Sequence, residues 1–185
     1  MMEDRTRRIV DTAVELAEDG GYEAVRLRDI AAKAGVALGT VYKRFRCKED
    51  ILLAALERDA GVFEELVLAR PVDGSTPSER AVSFFSMATR IFLMKPNLAR
   101  ALVRAMVGGE ADVRAKILSY TGMINSMILA TITGPDGGSA GESDERTAFL
   151  LQQVWFACLV GWMSGLHGEE EIVSQMRFVA ERLLD

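Results

Sequence analysis

Histidine and cysteine are almost missing from this 185-residue chain, which has one histidine, His167, and two cysteines, Cys47 and Cys158. Two thiols exclude a disulfide scaffold and a cysteine-built zinc site, and a lone imidazole removes most histidine-based metal and triad chemistry. No H-E-x-x-H, G-x-S-x-G, P-loop or dinucleotide glycine motif occurs, so the sequence offers no catalytic residues and no cofactor. Proline is scarce and no run alternates like a strand, which leaves helix as the expected element. Long apolar runs are lacking too: Val154 to Met163 is about half of the ~20 residues a membrane span needs. The start, Met1-Met2-Glu3-Asp4-Arg5, has no apolar signal-peptide core, so the expectation is a cytoplasmic protein without a membrane partner.

What is present is helical periodicity and one cationic stretch. Ile9, Ala13, Leu16 and Ala17 follow the i, i+4, i+7, i+8 rule, and Gly20-Gly21 is expected to stop that helix. Short helices are expected over Leu27–Ala34, closed by Gly35, and over Leu38–Phe45. A long one opens at Lys48 and reaches about Ala69, and Arg70–Pro77 is turn-rich. Further helices are expected over Ser78–Lys95, from Leu98 to Met106 after the break at Pro96, and over Asp112–Thr133, Asp144–Leu166 and Glu169–Leu184. Gly134–Gly141 reads as a flexible connection. The fold class is all-α with about nine helices and no internal repeat.

The chain is acidic overall at −5, but the charge is uneven. Arg26, Arg28, Lys33, Lys43, Arg44, Arg46 and Lys48 stand against Asp29 alone between Ala24 and Lys48, a local balance of +6 that leaves −11 for the rest. A cationic surface on an acidic body can bind a polyanion locally while the body stays soluble. The two short helices inside it form a helix-turn-helix pattern. Leu38, Val41 and Phe45 share one face that can pack on Ile30, Ala31 and Ala34. Thr40, Lys43 and Arg44 then point outward, Thr40 towards phosphate and the two cations long enough to reach guanine O6/N7. Lys48 adds a further phosphate ligand. A structural helix pair would explain the apolar positions equally well, but not the cations gathered on the other face.

The stretch from Ile9 to Leu56 resembles the TetR family of bacterial transcriptional repressors. The likeness is carried by Gly21-Tyr22, Leu27-Arg28-Asp29-Ile30-Ala31, Gly35-Val36, Gly39-Thr40-Val41-Tyr42-Lys43-Arg44-Phe45 and Lys48-Glu49-Asp50-Ile51-Leu52. It implies a DNA-binding domain over residues 1–47 and a ligand-binding and dimerisation domain over 48–185, with helix 48–69 as the linker. It also implies that Thr40, Tyr42 and Lys48 touch phosphates while Arg28, Gly39, Lys43 and Arg44 face bases, with Arg26 beside them in the same surface. Gly20-Gly21-Tyr22-Glu23-Ala24-Val25, Gly39-Thr40-Val41-Tyr42, Asn97-Leu98 and Val154-Trp155 with Gly161-Trp162 resemble the KstR-type subgroup, which implies a bulky apolar effector, sterol- or fatty-acyl-like, with a CoA thioester as one form. The pattern departs at Cys47, an N-cap position where a side-chain oxygen is usual; a weak cap is the expectation, with a reactive thiol the alternative.

Val154 to Met163 is apolar on every side, so one face needs a partner beyond the chain's own core. Val154, Ala157, Gly161 and Ser164, with Ile172, Met176, Val179 and Leu183 of the last helix, are the expected homodimer interface. Phe84, Phe85, Ala88, Phe92, Met106, Tyr120, Met123, Met127, Trp155, Leu159 and Trp162 are the candidate ligand-binding residues, with Asn125 and Tyr120 as polar anchors, although plain core would use the same residues. The function read from all this is a ligand-responsive repressor, dimeric on a palindromic double-stranded DNA operator and released by a small apolar ligand. The alternatives are a helical scaffold or an enzyme without DNA binding.

Overall fold

The computed structural model describes residues 2–108, 113–134 and 140–185. Among these residues there are nine helices and no strand, the all-α fold the periodicity predicts. They are α1 (Met2–Ala24), α2 (Leu27–Lys33), α3 (Leu38–Tyr42), α4 (Lys48–Ala69), α5 (Pro77–Leu93), α6 (Pro96–Val107), α7 (Arg114–Thr133), α8 (Glu142–Met163) and α9 (Glu169–Leu184). The expected flexible connection after Gly134 falls mostly outside the described residues. None of the described helices is long and apolar enough to cross a membrane.

Local chemistry accounts for most boundaries. The Thr76 hydroxyl accepts the Glu79 N–H at 3.1 Å and the Glu79 carboxylate accepts the Thr76 N–H, a reciprocal cap that starts α5. Pro77 and Pro96 stand in the first turns of α5 and α6, where a missing N–H costs nothing. Gly35 (φ 64°) closes α2: its N–H bonds the Ala32 carbonyl and the Val36 N–H bonds Ala31, a termination that needs a left-handed residue. Gly21 interrupts α1 at φ 69° rather than ending it, and a last turn runs on to Ala24.

The chain packs as two units. The first comprises residues 1–59 and 95–120, so α6 and the start of α7 belong with the N-terminal helices. Here α1 packs along α6, with Ile9, Ala13, Ala17, Leu98, Ala101 and Ala105 buried. Lys95 pairs with Glu18, and the Asn97 amide donates to the Glu18 carbonyl at 3.0 Å. The second unit comprises residues 60–94 and 121–185, where α9 packs on both α5 and α8. Arg80 anchors α7 to α5 by donating to the Thr131 and Ile132 carbonyls at 2.8 and 2.7 Å.

Candidate nucleic-acid interface

The first unit builds the helix-turn-helix as the apolar spacing predicts. Ile30, Ala31 and Ala34 of α2 and its turn, and Val41 and Phe45 beyond, are all buried, while Leu38 is half-buried. The second short helix is briefer than expected. It ends at Tyr42, Lys43 is its C-cap, and the Arg44 and Phe45 N–H groups both bond the Val41 carbonyl at 3.0 and 2.9 Å. The chain must turn there to bury Phe45, so Lys43 and Arg44 leave from the end of α3 rather than from its side.

The cations differ in how free they are. Arg26, Arg28 and Lys43 are exposed, as is Tyr42 at 58%, and Thr40 is half-buried. Gly39 is exposed, and a Cβ there would meet nothing within 4 Å, so no internal contact demands glycine. Arg44 is half-buried and donates to the Thr6 hydroxyl at 2.5 Å, which couples it to α1. Lys33 pairs with Glu15 at 3.1 Å. Lys48, expected to reach a phosphate, is engaged inside the chain: its ammonium lies 3.6 Å from the Tyr22 ring centre and 3.8 Å from the Glu23 carboxylate.

Around Tyr22 the structure assembles groups that sequence reading missed. The Tyr22 hydroxyl donates to the Glu49 carboxylate, and Arg104 of α6 places its guanidinium 4.3 Å from the same ring. Burial, then the Glu49 acceptor, raises the Tyr22 hydroxyl well above an ordinary phenol. Burial pushes the Glu49 carboxyl up, but the Tyr22 hydroxyl, its own backbone N–H, the Cys47 thiol and Lys48 outweigh it and hold it below the usual carboxylate value. Cys47 directly precedes α4, and the Asp50 N–H bonds its sulfur. Burial, with Glu49 and Asp50 nearby, raises this thiol above its ordinary value, the opposite of what a reactive thiolate needs. Local sequence carries no signal for Arg104, whose partner lies in another helix.

In the second unit four of the candidate ligand residues, Phe84, Phe85, Phe92 and Trp155, join Phe63 in one aromatic series. Phe63, Phe84, Phe85, Trp155 and Phe92 follow one another at ring separations of 5.5, 5.3, 5.9 and 6.2 Å. Trp155 donates its indole N–H to the Thr89 hydroxyl at 2.9 Å, and Thr89 is wholly buried. Ala88, Met127 and Leu159 are buried, and Phe92, Met123 and Trp162 half-buried. Met106 and Tyr120 belong to the first unit instead. The Asn125 side-chain oxygen is buried with no hydrogen-bond partner among the described residues. Phe63 and Thr89 were not foreseen; Phe63 sits at helical spacing from Ala60, which could have marked it.

The expected interface residues divide. Ile172 and Met176 are fully buried in the second unit's own core, because α9 packs along α5 and α8. Gly161 is buried too, and a Cβ there would collide with the chain's own His167 ring, so its small size serves an internal contact. Ala157, Ser164 and Leu183 are exposed, and Val154 and Val179 half-buried. Phe149, Leu150 and Phe178, which the apolar pattern did not single out, are exposed large side chains on α8 and α9.

The chain matches two family models. Residues 9–55 match bacterial regulatory proteins of the tetR family, and residues 74–183 match the tetracyclin repressor-like C-terminal domain. It is 30% identical over 181 residues to the HTH-type transcriptional repressor KstR of Mycobacterium tuberculosis, covering 98% of this chain and 80% of that one. A TetR transcriptional regulator from Rhodococcus sp. RHA1 has a crystal structure similar to this fold at a TM-score of 0.84 and 22% identity, covering 97% of this chain and 94% of that one. FadR from Bacillus subtilis, crystallised in complex with stearoyl-CoA, is similar at a TM-score of 0.64 and 22% identity, covering 97% of each chain.

Proposed function

Since the chain belongs to the tetR family of bacterial regulatory proteins, we propose that it is a repressor that binds a palindromic operator as a homodimer and leaves it when an apolar effector binds. In this reading residues 1–47 read DNA and 48–185 bind the effector and the second subunit, with α4 as the linker. The observation that carries the DNA-binding half is that Arg26, Arg28, Tyr42 and Lys43 of the helix-turn-helix segment are all exposed, together with Gly39, which has open space beside it. Gly39 stands in the first turn of α3 with nothing within 4 Å of where a Cβ would sit, so its backbone is open on that side. A glycine there permits close approach of the backbone to a duplex. A helical scaffold has no use for this arrangement.

The effector half is supported by two features of the second unit: its aromatic series and, on α7, the buried Asn125 oxygen that has no partner among the described residues. KstR is one repressor this chain resembles over nearly its whole length, and the similarly folded FadR holds stearoyl-CoA. Sterol and fatty-acyl compounds, free or as CoA thioesters, are therefore the effector class proposed. By linkage the effector can weaken operator binding only by the ratio of its affinities for the two states, and a ~10–100-fold change needs about 1.4–2.7 kcal/mol. The test is to recover genomic duplexes retained by the protein, find the repeated palindrome, and titrate stearoyl-CoA against the complex in a gel shift. Retention of one palindrome and its release by the acyl chain, with CoA alone inert, is the expected result. Sequence-independent binding would overturn the operator, and indifference to every sterol and acyl compound would overturn the effector class.

A further inference from the structure

We propose that Lys116, in the first turn of α7, is a positioning residue for operator recognition, holding the turn between α3 and α4 in the shape that presents Lys43 and Arg44. The proposal rests on the DNA-binding reading above. Lys116 lies 66 residues along the chain from Asp50, yet its ammonium bonds the Asp50 carboxylate and also donates to the Asp50 carbonyl at 2.9 Å. The same ammonium stands 5.2 Å from the ring centre of Phe45. The other Asp50 oxygen accepts the Arg46 N–H at 2.9 Å. One cation thus grips both ends of the 45–50 segment, through a ring at one end and a carboxylate and carbonyl at the other.

The segment needs an external hold. With only five residues and no side-chain N-cap, α3 is far below the length at which a helix supports itself, so its direction is set by its packing on α2 and by what its two ends are tied to. One end is tied to α2 through the Gly35 turn. Lys43 and Arg44 lie at the other end, immediately before Phe45. Asp50 and Phe45 are both buried, and a buried carboxylate that loses its cation holds an uncompensated charge and must rearrange to reach water. Rearrangement would carry residues 43–46 with it. Lys116 is itself 28% exposed at its side chain and occupied by Asp50, so it acts through that turn and not by touching a phosphate.

The experiment measures binding of the full-length chain to its operator and to an unrelated duplex by fluorescence anisotropy, for wild type, Lys116→Met, Lys116→Arg and Asp50→Asn. Lys116→Met is expected to weaken the operator by at least ~10-fold and the unrelated duplex by less than ~2-fold, because base contacts need the turn's shape and non-specific phosphate attraction does not. Lys116→Arg, which keeps the cation, should restore most of the loss. Asp50→Asn should reproduce the selective loss while leaving Lys116 in place, and it carries the test if Lys116→Met lacks a cooperative melting transition. Wild-type operator binding by Lys116→Met or, where that variant does not fold, by Asp50→Asn would overturn the proposal alone. Equal weakening on both duplexes, the mark of a lost phosphate contact, would do so too. A wild-type chain that prefers no duplex would overturn the DNA-binding reading with it.

Discussion

The Lys48 ammonium lies 3.6 Å from the centre of the Tyr22 ring and donates to the Tyr22 carbonyl at 3.3 Å. A lysine at the start of α4, where the family resemblance implies a phosphate contact, is thereby committed to the residue that follows the Gly21 break in α1. Its side chain is only 22% exposed. The contact fixes where α4 begins relative to α1 within the first unit, and a cation over an aromatic ring at a partly buried position contributes about 1–2 kcal/mol.

Lys48→Met is therefore expected to lower the melting temperature while leaving the salt dependence of DNA binding unchanged. A phosphate ligand behaves otherwise, since its loss reduces the slope of log K against log salt by about one. Binding isotherms over a salt series check this; a slope reduced by one would mean that Lys48 leaves Tyr22 for DNA.

Lys43 and Arg44 should differ in character. Lys43→Ala removes an exposed cation whose side chain has no partner among the described residues, and it should cost ~1–3 kcal/mol at one operator position, relaxing base preference there. Arg44→Ala should do the same and also release α1, because Arg44 bonds the Thr6 hydroxyl at 2.5 Å. Thr6→Val, which keeps every DNA-facing group, is expected to reproduce a fraction of the Arg44→Ala loss. Competition gel shifts against single-base operator variants separate the three.

Dimerisation is best tested at residues the chain's own core does not use. Phe178 is 57% exposed and Leu150 48%, so Phe178→Asp and Leu150→Asp should leave the monomer folded. Sedimentation is expected to show monomers that retain helical content and lose operator affinity. Gly161→Arg would displace the chain's own His167 ring as well as alter any partner-facing surface, so it would not separate packing from association. Intact dimers from both aspartate variants would place the interface elsewhere.

Glu49 predicts an acid limb. Its carboxyl is held below the ordinary glutamate value, despite burial, by the Tyr22 hydroxyl, its own backbone N–H, the Cys47 thiol and Lys48. A group depressed on folding contributes stability that is fully present above its unfolded value, about 4.3, and is lost as pH falls through the lower folded value. The melting-temperature gap between wild type and Glu49→Gln should be constant above about pH 5 and close below it. A gap independent of pH would show that the Tyr22–Glu49 bond does not depend on the carboxylate's charge.

Local features were readable because their causes are local. The helical spacing of Ile9, Ala13 and Ala17, the turn at Gly35 and the break before Pro96 each express a backbone preference or a 3.6-residue period that a few neighbouring side chains carry. The nine helices followed from these, and the helix-turn-helix followed from adding the charges between Arg26 and Lys48. What a residue does with its polar end is decided by groups far along the chain. Lys48 and Lys43 look alike in sequence, yet one is spent on Tyr22 and the other is exposed. Nothing near Lys116 points to Asp50, and Thr89 is legible as a hydroxyl but not as the partner of Trp155. The apolar stripe of the last helix shows the same limit. Period alone shows that Ile172 and Met176 must leave water, but it cannot say whether a second copy or the chain's own α5 and α8 cover them, because both remove the same surface from solvent; the packing of α9 made that choice.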